Sequence, residues 1–213
     1  MHLTKVDTLI LPADHPDALP QALQILQNGG LVAFPTDTVY GLGALAFDAA
    51  VIEKIYEAKG RSTEKAIPIL LGDAADLEKV TAQVSEMALR LAARFWPGPL
   101  TLVVPRHASI PDVLSPLPTV GVRVPDHPVA RALLRAAGPM AVTSANLSGQ
   151  ASPCTVEEVY VQLGGRIPLI LDGGQTPGGA PSTVVNCLGA EPQILREGSI
   201  TLAQIQASLA PST

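Results

Sequence analysis

Apolar residues recur at helical spacing between Asp17 and Asn28, at Ala18, Leu19, Ala22, Leu23, Ile25 and Leu26. The Gly29-Gly30 pair behind them supplies a C-terminal stop. The unbroken run Leu31-Val32-Ala33-Phe34 then reads as a buried strand over 31–35. Asp48 is placed to cap a second helix through Val51, Ile52, Ile55 and Tyr56, ending near Lys59-Gly60. Ile67 to Leu71 reads as a strand, and Asp73 as the cap of a short helix reaching Lys79. Ser85 to Phe95 is the clearest amphipathic segment, with Met87, Ala88, Leu91, Ala92 and Phe95 on one side and Trp96-Pro97-Gly98-Pro99 ending it. Further strands are predicted at Leu100–Val104, Val120–Val124, Met140–Thr143, Ile167–Leu171, 183–187 and 192–196. Further helices are predicted at His127–Ala137, after Thr155 with Glu158 completing a capping box, and at Thr201–Leu209. Helices alternating with short apolar strands, without an internal repeat or a linker-like stretch, predict one α/β domain.

Composition narrows this picture. The chain has 213 residues, 47% hydrophobic but only 3% aromatic, so its core must be built from Leu, Val, Ile and Ala. Eighteen Gly and 20 Pro imply many tight turns between short elements. A net charge of -5 argues against a broad nucleic-acid-binding face but leaves room for a local basic pocket. Cys154 and Cys187 form no CxxC and are expected to be free thiols. The start Met1-His2-Leu3-Thr4-Lys5 lacks the apolar stretch of a signal peptide, and a soluble, cytoplasmic protein is expected.

Candidate chemistry concentrates in a few polar stretches. Pro35-Thr36-Asp37-Thr38-Val39-Tyr40-Gly41-Leu42-Gly43 follows directly on a strand and carries two hydroxyls, a carboxylate and a phenol. Such groups are costly at a strand end unless they meet a partner or a ligand. Asp37 is equally suited to cap a turn or to help hold Mg²⁺. Lys59-Gly60-Arg61, with Lys65 four residues on, is either a solvated helix end or a clamp for phosphate or carboxylate. Arg123 stands in the apolar strand Thr119-Val120-Gly121-Val122-Arg123-Val124-Pro125 and shares a face with Gly121, which would leave room for a ligand. Thr143-Ser144-Ala145-Asn146-Leu147-Ser148-Gly149 offers three hydroxyls and an amide at another strand end, suited to a turn or to a ribose, amino acid or phosphate. Pro181-Ser182-Thr183 and Arg196-Glu197-Gly198 lie beside glycines that suit either backbone approach to a ligand or tight turns. There is no GxxxxGK[ST], no helix-opening GxGxxG and no GxSxG, and His2, His15, His107 and His127 show no zinc-type spacing.

In order and spacing these segments, together with Phe95-Trp96-Pro97-Gly98-Pro99-Leu100-Thr101, resemble the YrdC-like threonylcarbamoyl-AMP synthase family. The likeness spans residues 8–208 and looks like the short, single-domain form. It implies a twisted mixed β-sheet flanked by helices with a concave cationic cavity. It also implies a nucleotidyl transfer in which L-threonine, bicarbonate or CO₂ and ATP, accompanied by Mg²⁺, give L-threonylcarbamoyl-adenylate and pyrophosphate. The product would pass to the machinery that puts threonylcarbamoyladenosine into tRNA. By that resemblance Thr38, Arg123, Ser144 and Ser182 stand around threonine, with Arg123 on its carboxylate. Arg61, Lys65, Thr119, Asn146, Cys154 and Arg196 stand around the nucleotide, while Lys59 and Arg61 are the catalytic cations, with Lys59 facing phosphate. Two positions depart from the family pattern. Leu70 stands where many members have His, and Cys154 where many have Thr, so a hydroxyl contact there would be replaced by a backbone one at most. Two other readings follow from the same likeness: a non-catalytic nucleotide- or RNA-binding module, against which the acidic net charge weighs, and a relative of the carbamoyl-phosphate-processing domains of hydrogenase maturation factors.

Overall fold

The computed structural model describes residues 6–178 and 181–210. Its elements in chain order are β1 (Leu9–Pro12), α1 (Ala18–Gln27), β2 (Val32–Phe34), β3 (Gly41–Leu45), α2 (Ala49–Lys59), β4 (Ile69–Leu70), α3 (Glu86–Phe95), β5 (Leu100–Pro105), β6 (Thr119–Arg123), α4 (Pro128–Ala137), β7 (Met140–Ser144), α5 (Val156–Leu163), β8 (Leu169–Asp172), β9 (Thr183–Asn186), β10 (Gln193–Arg196) and α6 (Leu202–Leu209). Short 3₁₀ turns occupy Ala74–Lys79 and Asp112–Leu114. All ten strands join one mixed sheet in the order β1-β8-β2-β3-β7-β4-β6-β5-β9-β10.

Period-two alternation sends the side chains of β2, β4, β7 and β8 to two separate cores. Val32, Phe34, Leu70, Met140, Val142, Leu169 and Leu171 pack under α1 and α4. Their neighbours Ala33, Ile69, Ala141 and Ile170 face the opposite side, where α2, α3, α5 and α6 contribute Ile52, Leu91, Val159 and Ile205. This second layer extends along the sheet to β5, β6 and β9 through Leu102, Val122 and Val185. The α1/α4 cluster contains no residue of β5, β6, β9 or β10. The polar positions Thr101 and Arg123 lie on that uncovered part of the face, opposite Leu102 and Val122.

The helix boundaries follow the caps. Asp48 accepts from the amides of Ala50 and Val51, Ser85 from Ala88, and Thr201 and Gln204 form a reciprocal capping box. Two expected caps differ. Asp73 makes no cap and instead binds Arg131 and Arg135, whose guanidinium groups hold its carboxyl well below the usual range. Thr155 accepts from the Glu158 amide, but the Glu158 carboxylate reaches past Thr155 to the Cys154 amide. Two strands are not among those expected. β1 is mostly exposed, and β3 carries Gly41 and Gly43 on one face, where Cβ atoms would come within 2.8 Å of Val142 and Met140. Those glycines let β7 lie against β3. No described helix is long and apolar enough to cross a membrane.

Candidate functional site

The uncovered part of the sheet face, together with Leu70 and Val142 at the border of the α1/α4 layer, is the floor of a cavity of about 330 Å³. Leu70, Thr101, Arg123 and Val142 form the floor, and the β2–β3 loop, Arg61, Ser144, Ser152, Pro181, Ser182 and Arg196 form the walls. Every one of its charged lining residues is an arginine.

One wall is a hydroxyl relay. Thr36 donates its single hydroxyl proton to the Val39 carbonyl at 2.7 Å and lies 3.0 Å from the Thr38 hydroxyl. Thr38 must therefore be the donor between them, which leaves its oxygen to accept from Arg123 Nη1 at 3.3 Å. Arg123 also donates from Nε to the Gly98 carbonyl at 3.0 Å and from Nη2 to Asp37 Oδ1. Asp37 thus serves as the partner of a buried arginine. Its other oxygen, Oδ2, is buried and has no partner among the described residues. Burial pulls the Arg123 guanidinium below its ordinary range, and Asp37 opposes that pull. Two of the five guanidinium N–H groups of Arg123 have no described partner.

The facing wall rests on Ser182. Its hydroxyl is 2.8 Å from Thr101 Oγ1, and Arg196 donates to both its carbonyl and its hydroxyl at 2.8 and 3.0 Å. Gly198 makes this possible, because a Cβ there would stand 2.3 Å from the Pro181 carbonyl oxygen and 2.4 Å from the Thr183 nitrogen. Gly198 thus serves contact between two backbone segments, where approach to a ligand or a tight turn is expected from the sequence. Arg61 donates to the carbonyls of Lys65 and Ala66 at 3.3 and 3.0 Å, and burial lowers its pKa. Tyr40 is fully buried. Its hydroxyl donates to the Gly174 carbonyl at 2.7 Å and accepts from the Gly173 amide at 3.3 Å, and burial pushes the phenol up to about 12. Tyr40 and the bond from the Gly178 amide to the Thr38 carbonyl hold the segment after β8 against the β2–β3 loop.

Of the predicted site residues, Thr38, Arg123, Ser144, Ser182, Arg61 and Arg196 line this one cavity. Lys59, Lys65, Thr119, Asn146 and Cys154 are not among its lining residues. Lys65 is exposed and Thr119 opens β6. Cys154 offers its carbonyl to the Thr176 amide, and Asn146 donates to the carbonyls of Leu147 and Gln150. Lys59 is 2% exposed, with its ammonium on the carbonyls of Ser144 and Asn146. Thr36, Thr101 and Ser152 are lining residues that sequence reasoning left without a role. For Thr101 the signal is register: it shares a face with Arg123 only once β5 and β6 are paired.

Residues 24–198 match the model of the Sua5/YciO/YrdC family, which carries the description telomere recombination. The chain is 47% identical over 199 residues to the threonylcarbamoyl-AMP synthase of Bacillus subtilis, covering 91% of this chain and 57% of that protein. It is 42% identical over 187 residues to the threonylcarbamoyl-AMP synthase of Pyrococcus abyssi, covering 87% and 55%. The crystal structure of P. abyssi Sua5 complexed with L-threonine superposes with a TM-score of 0.89 at 38% identity, over 96% of this chain and 60% of that one. The chain therefore spans a little over half the length of these relatives.

Proposed function

This chain belongs to the Sua5/YciO/YrdC family, and we propose that it joins L-threonine, bicarbonate or CO₂ and ATP into L-threonylcarbamoyl-AMP, releasing pyrophosphate. The observation that carries this reading is the convergence of Arg61, Arg123 and Arg196 with the hydroxyls of Thr38, Ser144 and Ser182 on one cavity. A P. abyssi relative is complexed with L-threonine, and the two unassigned N–H groups of Arg123 suit a carboxylate taken by both oxygens.

Among the described residues that line the cavity none is a Lys, His, Asp or Glu, so the proposed chemistry runs without a general base from them. The threonine amine adds to CO₂ and gives up one proton to solvent, leaving a carbamate whose oxygen is already anionic. That oxygen attacks the α-phosphorus of ATP, the bond to the β-phosphate oxygen breaks, and pyrophosphate carries away the electron pair. The protein's task is to hold two anions in line and to neutralise the charge that builds between them, which arginines and hydroxyls do. ATP enters as its magnesium complex. Among the described residues no group of three or more His, Cys, Asp or Glu could hold a metal, and Asp37 is engaged by Arg123, so the ion would travel on the triphosphate. The adenylate then serves threonylcarbamoyladenosine formation on tRNA, after transfer to a partner enzyme.

Pyrophosphate release should require ATP, L-threonine and bicarbonate together, with threonylcarbamoyl-AMP as the co-product. Release that ignores threonine would defeat the proposal. Arg61→Ala should lose most of the activity while remaining folded.

A further inference from the structure

Lys59 and Arg61 are two residues apart, yet the fold gives them opposite surroundings. Lys59 continues the buried face of α2 set by Ile52, Ile55 and Tyr56, at the i+7, i+4 and i+3 positions of that stripe. Gly60 then adopts a left-handed conformation, with φ 60° and ψ 38°, and its helix-ending turn sends Arg61 out to the cavity wall. The Lys59 side chain instead runs beneath the loop that follows β7. Its ammonium donates to the carbonyl of Ser144 and, at 2.5 Å, to that of Asn146, while its own carbonyl accepts from the Ser148 amide at 2.9 Å.

We infer that Lys59 is a positioning residue, whose ammonium pins the Ser144–Asn146 loop and so aims the Ser144 hydroxyl into the cavity. Nothing else buried in the described structure donates a side-chain N–H to those two carbonyls. The Ala145 amide between them is bound to the Tyr40 carbonyl at 2.8 Å, which ties the same loop to the hydroxyl wall. Lys59 therefore sits where it can set the position of Ser144 relative to Thr38 without itself lining the cavity. Burial of the ammonium, with Arg61 adding to the effect, lowers its pKa to about 7, while the two carbonyls favour the charged form. A neutral amine would still carry two N–H donors, so the pin holds in either state.

The kinetic arm of the test rests on the proposed reaction; the exchange arm does not. Lys59→Met removes both donors, and Lys59→Gln keeps two N–H donors without the charge. In hydrogen exchange, amides 145–148 should lose protection in Lys59→Met, keep part of it in Lys59→Gln, and be unchanged in Arg61→Met. In turnover, Lys59→Met should raise the KM for L-threonine by about tenfold, as the unpinned loop lets the Ser144 hydroxyl drift from its place in the cavity. On a Ser144→Ala background the same substitution should cost less than about threefold, because the hydroxyl it aims is already gone. If Lys59→Met does not fold, Lys59→Gln carries both readouts, with a smaller loss in each. Unchanged exchange at 145–148 would overturn the inference, as would full additivity with Ser144→Ala. If the wild-type protein shows no threonine-dependent turnover, the proposed reaction fails and the exchange result alone decides the role of Lys59.

Discussion

Asp37→Asn isolates the main electrostatic tension in the site. The Arg123 and Asp37 side chains are 7% and 13% exposed, so their ion pair is almost wholly desolvated. The amide introduced by this substitution would keep an oxygen near Arg123 Nη2 but not the charge, leaving a buried cation with only the neutral acceptors Gly98 O and Thr38 Oγ1 besides. Breaking one side of a buried pair costs about 3–5 kcal/mol, and the surviving acceptor lowers this to about 2–4 kcal/mol. For a chain of this length that is a fall in Tm of roughly 5–15 °C in a thermal melt followed by circular dichroism. Asp37→Asn combined with Arg123→Met should be more stable than Asp37→Asn alone, since the uncompensated charge leaves with its side chain. L-threonine should raise the Tm of Asp37→Asn more than that of the wild type, because its carboxylate supplies the missing anion. An Asp37→Asn melt within about 0.5 kcal/mol of wild type, or strict additivity in the double variant, would refute the reasoning.

Three further outcomes are expected. Between pH 7 and 9 the unfolded chain holds the proton that folded Lys59 gives up, so stability should climb with pH by at most about 3 kcal/mol, and Lys59→Met should lack that slope in urea titrations. The window closes near 9 because burial pushes the Cys187 thiol up to about 12, and its ionisation in the unfolded chain then drives stability the other way. Tyr40→Phe deletes the bonds to Gly174 and Gly173 and should cost about 1–3 kcal/mol in urea unfolding, with faster exchange confined to the segment after β8; unchanged exchange there would contradict the latch role of the phenol. Gly198→Ala forces a methyl against the backbone of residues 181–183 and should destabilise by about 1–3 kcal/mol while weakening substrate binding through Ser182; a neutral melt would show that β10 can shift at little cost.

Most of the helices, the mixed α/β class and the order of the polar segments were legible in the chain before any folding was considered. These depend on local periodicity, caps and spacing, which a chain carries whatever it packs against. β3 was illegible because its glycines break the apolar pattern, whereas β1 carries the short apolar run Leu9-Ile10-Leu11, which only pairing with β8 shows to be an edge strand. The sheet order was equally hidden, and it decides that the α1/α4 layer stops short of β5, β6 and β9, leaving Thr101 and Arg123 as the floor of a cavity. Lys59 is the instructive mixed case. The sequence reads it as a solvated helix end or a clamp for an anion, whereas in the structure it continues the buried stripe of Ile52, Ile55 and Tyr56. What it meets there, two carbonyls from a loop 85 and 87 residues away, exists only once β7 lies beside β3. Asp37 follows the same logic. A carboxylate in a polar turn reads locally as a cap or a metal ligand, and only β6, placed in the cavity floor by long-range pairing, brings the arginine that claims it.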